Sequence, residues 1–191
     1  NGLIYLDKDG QYQYGAPRRN TENLDLLPVI DRHTVPESLE AHTATIYSSR
    51  GCPGRCIYCA APAMSGGKYR IRDIENVFLE TLMVLDESSK RKEVFYSDDT
   101  FTVFKNRVER FIQLCDECGI KISWRCESRV DSMVKNAEIL EGMKRAGCRR
   151  IQFGLESGNQ QVLDKIRKNM DLDDARYIIE QTIDAGIHVA G

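Results

Sequence analysis

The sequence lacks three features that would assign a function class at once. It has no charge excess, since 27 lysines and arginines face 29 aspartates and glutamates and leave a formal net charge of −2. A nucleic-acid partner or an anionic membrane surface is therefore not favoured. No apolar run approaches the length of a membrane span. Histidine is scarce, with three residues in 191, which leaves few imidazole ligands for a metal.

Length and composition indicate one ordinary globular domain. With 191 residues, of which 41% are hydrophobic and 29% charged, the chain can bury a sizeable core. The seven cysteines are an odd number and no secretory signal is recognisable, so we expect a reducing, cytoplasmic location. The chain begins at Asn1 and stops at Gly191 inside an expected strand, which predicts a piece of a longer protein.

Three cysteines on one short loop are the most informative feature. Cys52, Cys56 and Cys59 have the spacing C-x3-C-x2-C, directly after the apolar segment 44–47. Gly51 and Gly54 keep the loop out of regular structure, so its backbone can wrap a cluster and point N–H groups at sulfides. Three thiolates can hold three irons of a 4Fe–4S cube and leave the fourth iron open to another ligand.

Other uses of the cysteines stay open. A zinc site would need a fourth ligand to complete its tetrahedron, and His42 is the candidate nearest in sequence. A disulfide with one free thiol suits a reducing compartment less well. Cys115 and Cys118 form a C-x2-C pair inside a helical pattern, where packing as small apolar residues competes with an auxiliary metal site.

Beyond the triplet, strands alternate with helices. The expected strands are 44–47, 93–97, 121–126, 150–154 and one that starts at 187, and the expected helices are 74–85, 108–115, 137–143 and 175–183. Three helices end in a glycine followed at once by a strand, at Gly119, Gly147 and Gly186. The pattern predicts an α/β fold, a partial parallel barrel of about four to five βα units with functional groups at the carboxyl ends of its strands.

Residues 1–40 follow a different pattern and are predicted to form an N-terminal extension to a core over 41–191. We expect a small hairpin around Asp9 and Gly10. Residues 23–31 read as an irregular lead-in whose apolar side chains dock on the barrel.

Polar side chains follow two of the expected strands. Asp98 and Asp99 come after the second strand, where they could bind a ligand or form an Asx turn or a helix cap. Arg125 and Arg129 end the third strand. One of them could neutralise a bound carboxylate, or form a plain salt bridge, for example with Glu127.

The fourth strand ends in the run Gly154-Leu-Glu-Ser-Gly158. Ser157 and Gln160 have the spacing of a capping box for the following helix. That interpretation leaves Glu156 unexplained and available to a ligand.

The triplet, with Tyr58 just before its last cysteine, resembles the radical S-adenosylmethionine enzymes. The segments Asp99-Thr-Phe101 and Gly154–Gly158 are similar to strand-end signatures of that family, the former to its cobalamin-dependent members. The resemblance implies a 4Fe–4S cluster on the three cysteines, whose open iron is chelated by S-adenosylmethionine. An electron from the cluster then cleaves this cofactor to methionine and a 5′-deoxyadenosyl radical.

The resemblance also implies roles for the other site residues. Tyr58 would pack on adenine, Glu156 with Ser157 would orient the cofactor, and Asp98 and Asp99 would face its methionine end. Residues that act directly on substrate stay unassigned. A small-molecule or peptide substrate, a low-potential donor such as flavodoxin or ferredoxin, and cobalamin bound by the full-length protein only would complete the system.

Several reactions fit this sequence. Hydrogen abstraction and cobalamin-linked methyl transfer are the leading ones. Methylthiolation of RNA or protein is a sibling chemistry, which the absence of a basic face disfavours. From a different class comes a non-catalytic module whose iron–sulfur or zinc centre is structural.

A partial barrel leaves parallel strand edges unpaired, and such edges invite association with another chain. We therefore predict that this chain self-associates or is marginally stable in solution. Light scattering and thermal unfolding test this, and a clean monomer with a high, cooperative melting temperature would contradict it.

Overall fold

The chain folds around one parallel sheet. The computed structural model describes residues 2–35 and 37–191. The strands are β1 (Ile4–Leu6), β2 (Tyr12–Tyr14), β3 (Thr43–Ile46), β4 (Ser49–Arg50), β5 (Arg70–Ile71), β6 (Glu93–Tyr96), β7 (Trp124–Ser128), β8 (Cys148–Phe153) and β9 (His188–Ala190). The main sheet has the order β3-β6-β7-β8-β9 with every pairing parallel. This confirms the α/β prediction.

Helices connect these strands. They are α1 (Glu37–Glu40), α2 (Ala61–Ser65), α3 (Ile74–Asp86), α4 (Lys105–Glu117), α5 (Val130–Met133), α6 (Leu140–Arg145), α7 (Gln160–Lys165) and α8 (Leu172–Asp184), with 3-10 segments at Leu24–Leu26, Arg32–Thr34 and Val134–Ile139. Asp73 caps α3 by accepting a hydrogen bond from the Glu75 amide. No helix within the described ranges is both long and apolar enough to cross a membrane.

Two differences between the predicted and the observed elements bear on the site. The third strand of the main sheet ends at Ser128 rather than at residue 126, because its pairing with β8 continues to Ser128 opposite Phe153. Arg129 therefore stands directly after the strand. Of the helix expected over 137–143, residues 137–139 belong to the 3-10 segment and residues 140–143 to α6, and Asn136, just before them, has a non-helical φ of −133°.

An aromatic cluster at the centre of the core includes Tyr96, the last residue of β6, and Trp124, the first residue of β7. Tyr96, Phe101, Phe111 and Trp124 are each at most 1% exposed. The rings of Tyr96 and Phe101 stack at 4.9 Å between centroids, and Trp124 meets Tyr96 edge-on at 5.6 Å. Such pairs contribute about 0.5–1.5 kcal/mol each beyond the area they bury. They give the strand ends a rigid support.

Glycine follows three helices as predicted, and β8 and β9 start within two residues of Gly147 and Gly186, whereas β7 starts later, at Trp124. Gly119, Gly147 and Gly186 follow α4, α6 and α8 with φ of +64°, +97° and +74°. At Gly147 a side chain is also excluded by space, because a Cβ there would lie 2.0 Å from the carbonyl oxygen of Ile122. At Gly119 nothing lies within 4 Å of such a Cβ.

The N-terminal hairpin forms as expected, with Tyr5 opposite Gln13 and the Asp7 carboxylate accepting from the amides of Asp9 and Gln11. All the side chains of β1 and β2 are exposed. The lead-in docks less than predicted, because only Leu24 is buried among its apolar residues.

Gly147 and Gly119 generate a stability prediction. Gly147→Ala should lower the free energy of unfolding by about 3 kcal/mol or more, since it combines a left-handed φ with a backbone clash. Gly119→Ala carries only the conformational cost of about 1–2 kcal/mol. Urea unfolding followed by Trp124 fluorescence measures both, and equal losses would contradict the close approach at Ile122.

Candidate functional site

The cysteine loop lies against the edge of the sheet where the carboxyl ends of β3, β6, β7 and β8 meet. A cavity of about 300 Å³ opens between the loop and these strand ends. Its lining consists of Cys52, Gly54, Cys56, Tyr58, Cys59, Ala61, Pro62, Asp99, Glu127, Ser128, Arg129, Gln152, Gly154, Glu156 and Lys168. All the predicted site residues are in this lining except Asp98 and Ser157.

Asp98 holds the start of the loop. Its Oδ1 accepts hydrogen bonds from the amides of Ser48 at 2.7 Å and Ser49 at 3.0 Å, and its Oδ2 accepts from the Ser48 hydroxyl. The side chain is 1% exposed. Burial raises the pKa of Asp98, although the serine hydrogen bonds favour its ionised form. In this structure Asp98 anchors the backbone, whereas its neighbour Asp99 lines the cavity.

Glycine is required where the loop turns. Gly51 has a φ of +90°, and a Cβ there would lie 2.3 Å from the Lys68 carbonyl oxygen. A Cβ on Gly54 would lie 2.3 Å from Nη1 of Arg129. The loop therefore packs closely on β5 and on the end of β7.

Backbone and side-chain donors point at the three sulfurs. The Gly54 amide donates to Sγ of Cys52 at 3.3 Å, and the Ala61 amide donates to Sγ of Cys59 at 3.4 Å. Nη1 of Arg129 lies 3.9 Å from Sγ of Cys56. Donors placed in this way stabilise negative charge on sulfur.

Arg129 joins the loop to two distant segments. Its Nε and Nη2 donate to the two carboxylate oxygens of Asp131, each at 2.8 Å, and Nη2 also donates to the Lys168 carbonyl oxygen at 3.0 Å. Burial alone would lower the pKa of Arg129, but its pairing with Asp131 outweighs burial and raises it. Arg129 pairs with Asp131 and Arg125 pairs with Glu93. These ion pairs replace the salt bridge to Glu127 that was considered from the sequence.

Glu156 stands at the mouth of the cavity in a strained conformation, with a φ of +62°. Its Oε1 accepts from Nζ of Lys168 at 3.0 Å, and this hydrogen bond lowers the pKa of Glu156. Gly154 leaves room for the pair, since a Cβ there would lie 2.8 Å from Nζ of Lys168. Tyr58 is 52% exposed, and partial burial and the Glu156 carboxylate raise the pKa of its hydroxyl.

The predicted capping box is wrong. Helix α7 begins at Gln160 with Asn159 as its N-cap, whose side chain accepts from the amide of Val162. The Ser157 hydroxyl instead accepts from the Asn159 amide at 3.1 Å. Ser157 therefore shapes the turn that follows Glu156.

Two contributors escaped the sequence analysis. Asp131 pairs with the cavity residue Arg129, and Ser48 provides the point to which Asp98 binds. The Arg129-x-Asp131 spacing was a local signal for one of them. Lys168 ends the sequence run that begins at Gly154 and resembles the family, and the fold brings its Nζ to Glu156.

The remaining predicted ligands lie elsewhere. Cys115 is buried, which raises the pKa of its thiol to about 12, and it packs in the core. Cys118 is exposed. His42 precedes β3 and contacts the Lys90 carbonyl oxygen at the amino end of the sheet, whereas the cysteine loop follows β3.

The family model of the radical SAM superfamily matches residues 46–191. The match covers most of the chain and includes the whole cysteine loop and the strand ends described above. The chain belongs to the radical SAM superfamily, which is a superfamily of enzymes.

Three known proteins illustrate the similarity. An uncharacterised methyltransferase of Pyrococcus horikoshii is 29% identical over 196 residues, which cover 100% of this chain and 41% of that protein. A putative methylthiotransferase of Methanocaldococcus jannaschii is 27% identical over 194 residues, covering 100% and 43%. The solved structure of the cobalamin-dependent S-adenosylmethionine radical enzyme OxsB, with aqua-cobalamin and S-adenosylmethionine bound, has a TM-score of 0.77 at 20% identity, covering 99% and 28%. The chain thus spans less than half of these proteins.

The residues present fit the cluster that the family implies. Three thiols from one loop line a single cavity, and two of them already accept amide N–H groups. In the described parts of the chain, no three His, Cys, Asp or Glu side chains converge on one point as the ligands of a single ion would. A cluster takes each thiolate on a separate iron, so this arrangement is compatible with it.

The two neighbouring aspartates generate a prediction. Asp98→Ala should lower the free energy of unfolding by about 2–4 kcal/mol, because the buried amides of Ser48 and Ser49 lose their acceptor. Asp99→Ala is the matched control and should change it by less than about 0.5 kcal/mol, since Asp99 is exposed. Urea titrations compare the two, and a similar loss in both variants would contradict the anchoring role of Asp98.

Proposed function

We propose that this chain is the catalytic core of a radical SAM enzyme that transfers a methyl group. One observation carries the proposal. Cys52, Cys56 and Cys59 line the same cavity as the charged groups at the ends of the second, third and fourth strands of the barrel. A cluster and a polar cofactor would therefore meet in one place.

The three thiolates would hold the 4Fe–4S cluster. When bound, the cluster supplies an open iron and a low-potential electron for cleaving S-adenosylmethionine to a radical. The amides of Gly54 and Ala61 and the guanidinium of Arg129 would offset negative charge on the sulfurs. Close packing of the loop against Arg129 would limit the access of water to this side of the site.

The other polar groups of the lining would orient the cofactor. Asp99 and Glu156 offer carboxylates to its amino and hydroxyl groups, and Tyr58 offers a partly exposed ring for adenine to stack on. Lys168 holds Glu156 in position through their ion pair. Arg129 is committed to Asp131, so we assign it to positioning the loop and, secondarily, to the electrostatic field at the cofactor carboxylate. Ser157 contributes through the turn after Glu156.

Methyl transfer is favoured by the relatives' names. The Pyrococcus relative is named a methyltransferase. The likeness to a cobalamin-dependent enzyme is a likeness of fold. Cobalamin is therefore proposed for the full-length protein only, on a segment outside this chain. A flavodoxin or ferredoxin would supply the electron.

Methylthiolation is the second candidate, since the Methanocaldococcus relative is named a putative methylthiotransferase. The two reactions differ in their product, which gains a methyl or a methylthio group. Mass spectrometry of the product formed by the full-length protein discriminates between them.

Electron paramagnetic resonance on the anaerobically reconstituted and reduced chain tests the proposal. We expect a cluster signal that changes when S-adenosylmethionine is added. Cys59→Ala should abolish this change, because one iron loses its thiolate. Cys118→Ala removes another exposed cysteine, outside the site, and should leave the spectrum as it is.

Two outcomes would contradict the proposal. A cluster signal indifferent to S-adenosylmethionine would indicate a structural iron–sulfur centre. Stoichiometric zinc without a cluster signal would indicate a metal-binding module instead of an enzyme core.

A further inference from the structure

A second cavity adjoins the first. It has a volume of about 670 Å³ and shares Cys59, Ala61 and Asp99 with the cavity that contains the three thiols. A molecule bound there would stand directly beside the proposed cofactor, separated from it only by this common wall. Nothing described so far occupies this space.

Two arginines face each other at this cavity. Arg50 on β4 is directly opposite Arg70 on β5, and both side chains line the cavity. Like charges in this position destabilise a strand pair. Within residues 2–35 and 37–191, neither arginine forms an ion pair within 4.0 Å, and the buried Nε of Arg70 has no hydrogen-bond partner. Among the described residues, neither guanidinium therefore has a carboxylate partner at ion-pair distance.

Other contacts hold the two side chains in place. Nη1 of Arg70 donates to the Thr21 carbonyl oxygen at 2.5 Å. The guanidinium carbon of Arg50 lies 4.5 Å from the centre of the Tyr47 ring. The nearby carboxylates are otherwise placed, because Glu22 pairs with Lys68 and Asp99 lies on the wall shared with the first cavity.

Part of the remaining wall is apolar. Leu27 and Met64 contribute aliphatic surface, and Tyr47 adds an aromatic ring. Leu27 and Met64 are 42% and 78% exposed, so this surface is available to a ligand. Sites of this kind hold the body of a small molecule by apolar contact and fix its orientation with a few polar groups.

We propose that the second cavity binds the substrate, and that the substrate carries a carboxylate or phosphate on an apolar body. The anionic group would be seated between Arg50 and Arg70, with the body along Leu27 and Tyr47 towards Cys59. Arginine suits either anion because its planar fork donates two parallel hydrogen bonds. The claim that the bound ligand is the substrate rests on the proposed function, whereas the claim that an anion binds in this cavity does not.

Isothermal titration calorimetry on the metal-free chain tests the binding. The probes are naphthylacetate, naphthyl phosphate and the neutral naphthylacetamide, which share an aromatic body. We expect at least one anion to bind about tenfold more tightly than the amide, as a charge-assisted hydrogen bond predicts. The tighter of the two anions identifies the class of the natural ligand.

Variants then locate the site. Arg50→Gln and Arg70→Gln should each weaken the anion about tenfold and leave the amide unchanged, and Arg50→Lys should restore part of the loss. Arg149→Gln removes an exposed arginine of β8 outside the cavity and is the matched control. Thermal unfolding of each variant verifies that it is folded, and Arg50→Gln alone decides the matter if Arg70→Gln is unfolded.

Three results would overturn the proposal. They are equal affinity for the anions and the amide, equal losses of anion affinity in Arg50→Gln and Arg149→Gln, and absence of binding. Because the titration needs neither cluster nor S-adenosylmethionine, its result is independent of the resonance experiment. If the anion binds but no cluster forms, the cavity remains an anion-binding site, and only the claim that its ligand is the substrate is withdrawn.

Discussion

The carboxylate of Asp98 fixes the place where β3 passes into the cysteine loop. It accepts both amides of Ser48 and Ser49 from a position at the carboxyl end of β6, so the loop starts at a point set by the pairing of β3 with β6. From α4, Nη2 of Arg107 holds the Ser48 carbonyl oxygen at 3.0 Å. These contacts set the position of the loop that follows, with its glycine turn, and therefore the position of the three thiols.

A second network holds the far side of the loop. Arg129 reaches Asp131, the Lys168 carbonyl oxygen and Cys56, and the Ile57 amide donates to the Ile166 carbonyl oxygen at 3.0 Å. Segments more than seventy residues apart thus close around one cavity. Arg129 and Asp98 are used to build the site, and Asp99, Glu127 and Glu156 are the carboxylates that line the cavity.

Much of the fold could be predicted because it rests on local patterns. The glycine joints at Gly119, Gly147 and Gly186 and the cap at Asp73 are short-range signals, and alternating strands and helices leave few topologies open. The position of the three cysteines after the first strand of the main sheet likewise predicted that their loop lies at the carboxyl ends of the strands. The partner of Arg129 was missed although Asp131 is only two residues away. The other failures were non-local: the burial of Asp98 and the arrival of Lys168 at Glu156 depend on side chains that only the folded sheet brings together.

The central claim is that the loop holds three of four irons and leaves the fourth for S-adenosylmethionine. Mössbauer spectroscopy of the chain reconstituted with isotopically enriched iron tests this most directly. The account predicts that adding S-adenosylmethionine shifts the signal of one iron and leaves the other three unchanged. A spectrum in which all irons respond alike, or none responds, would contradict it.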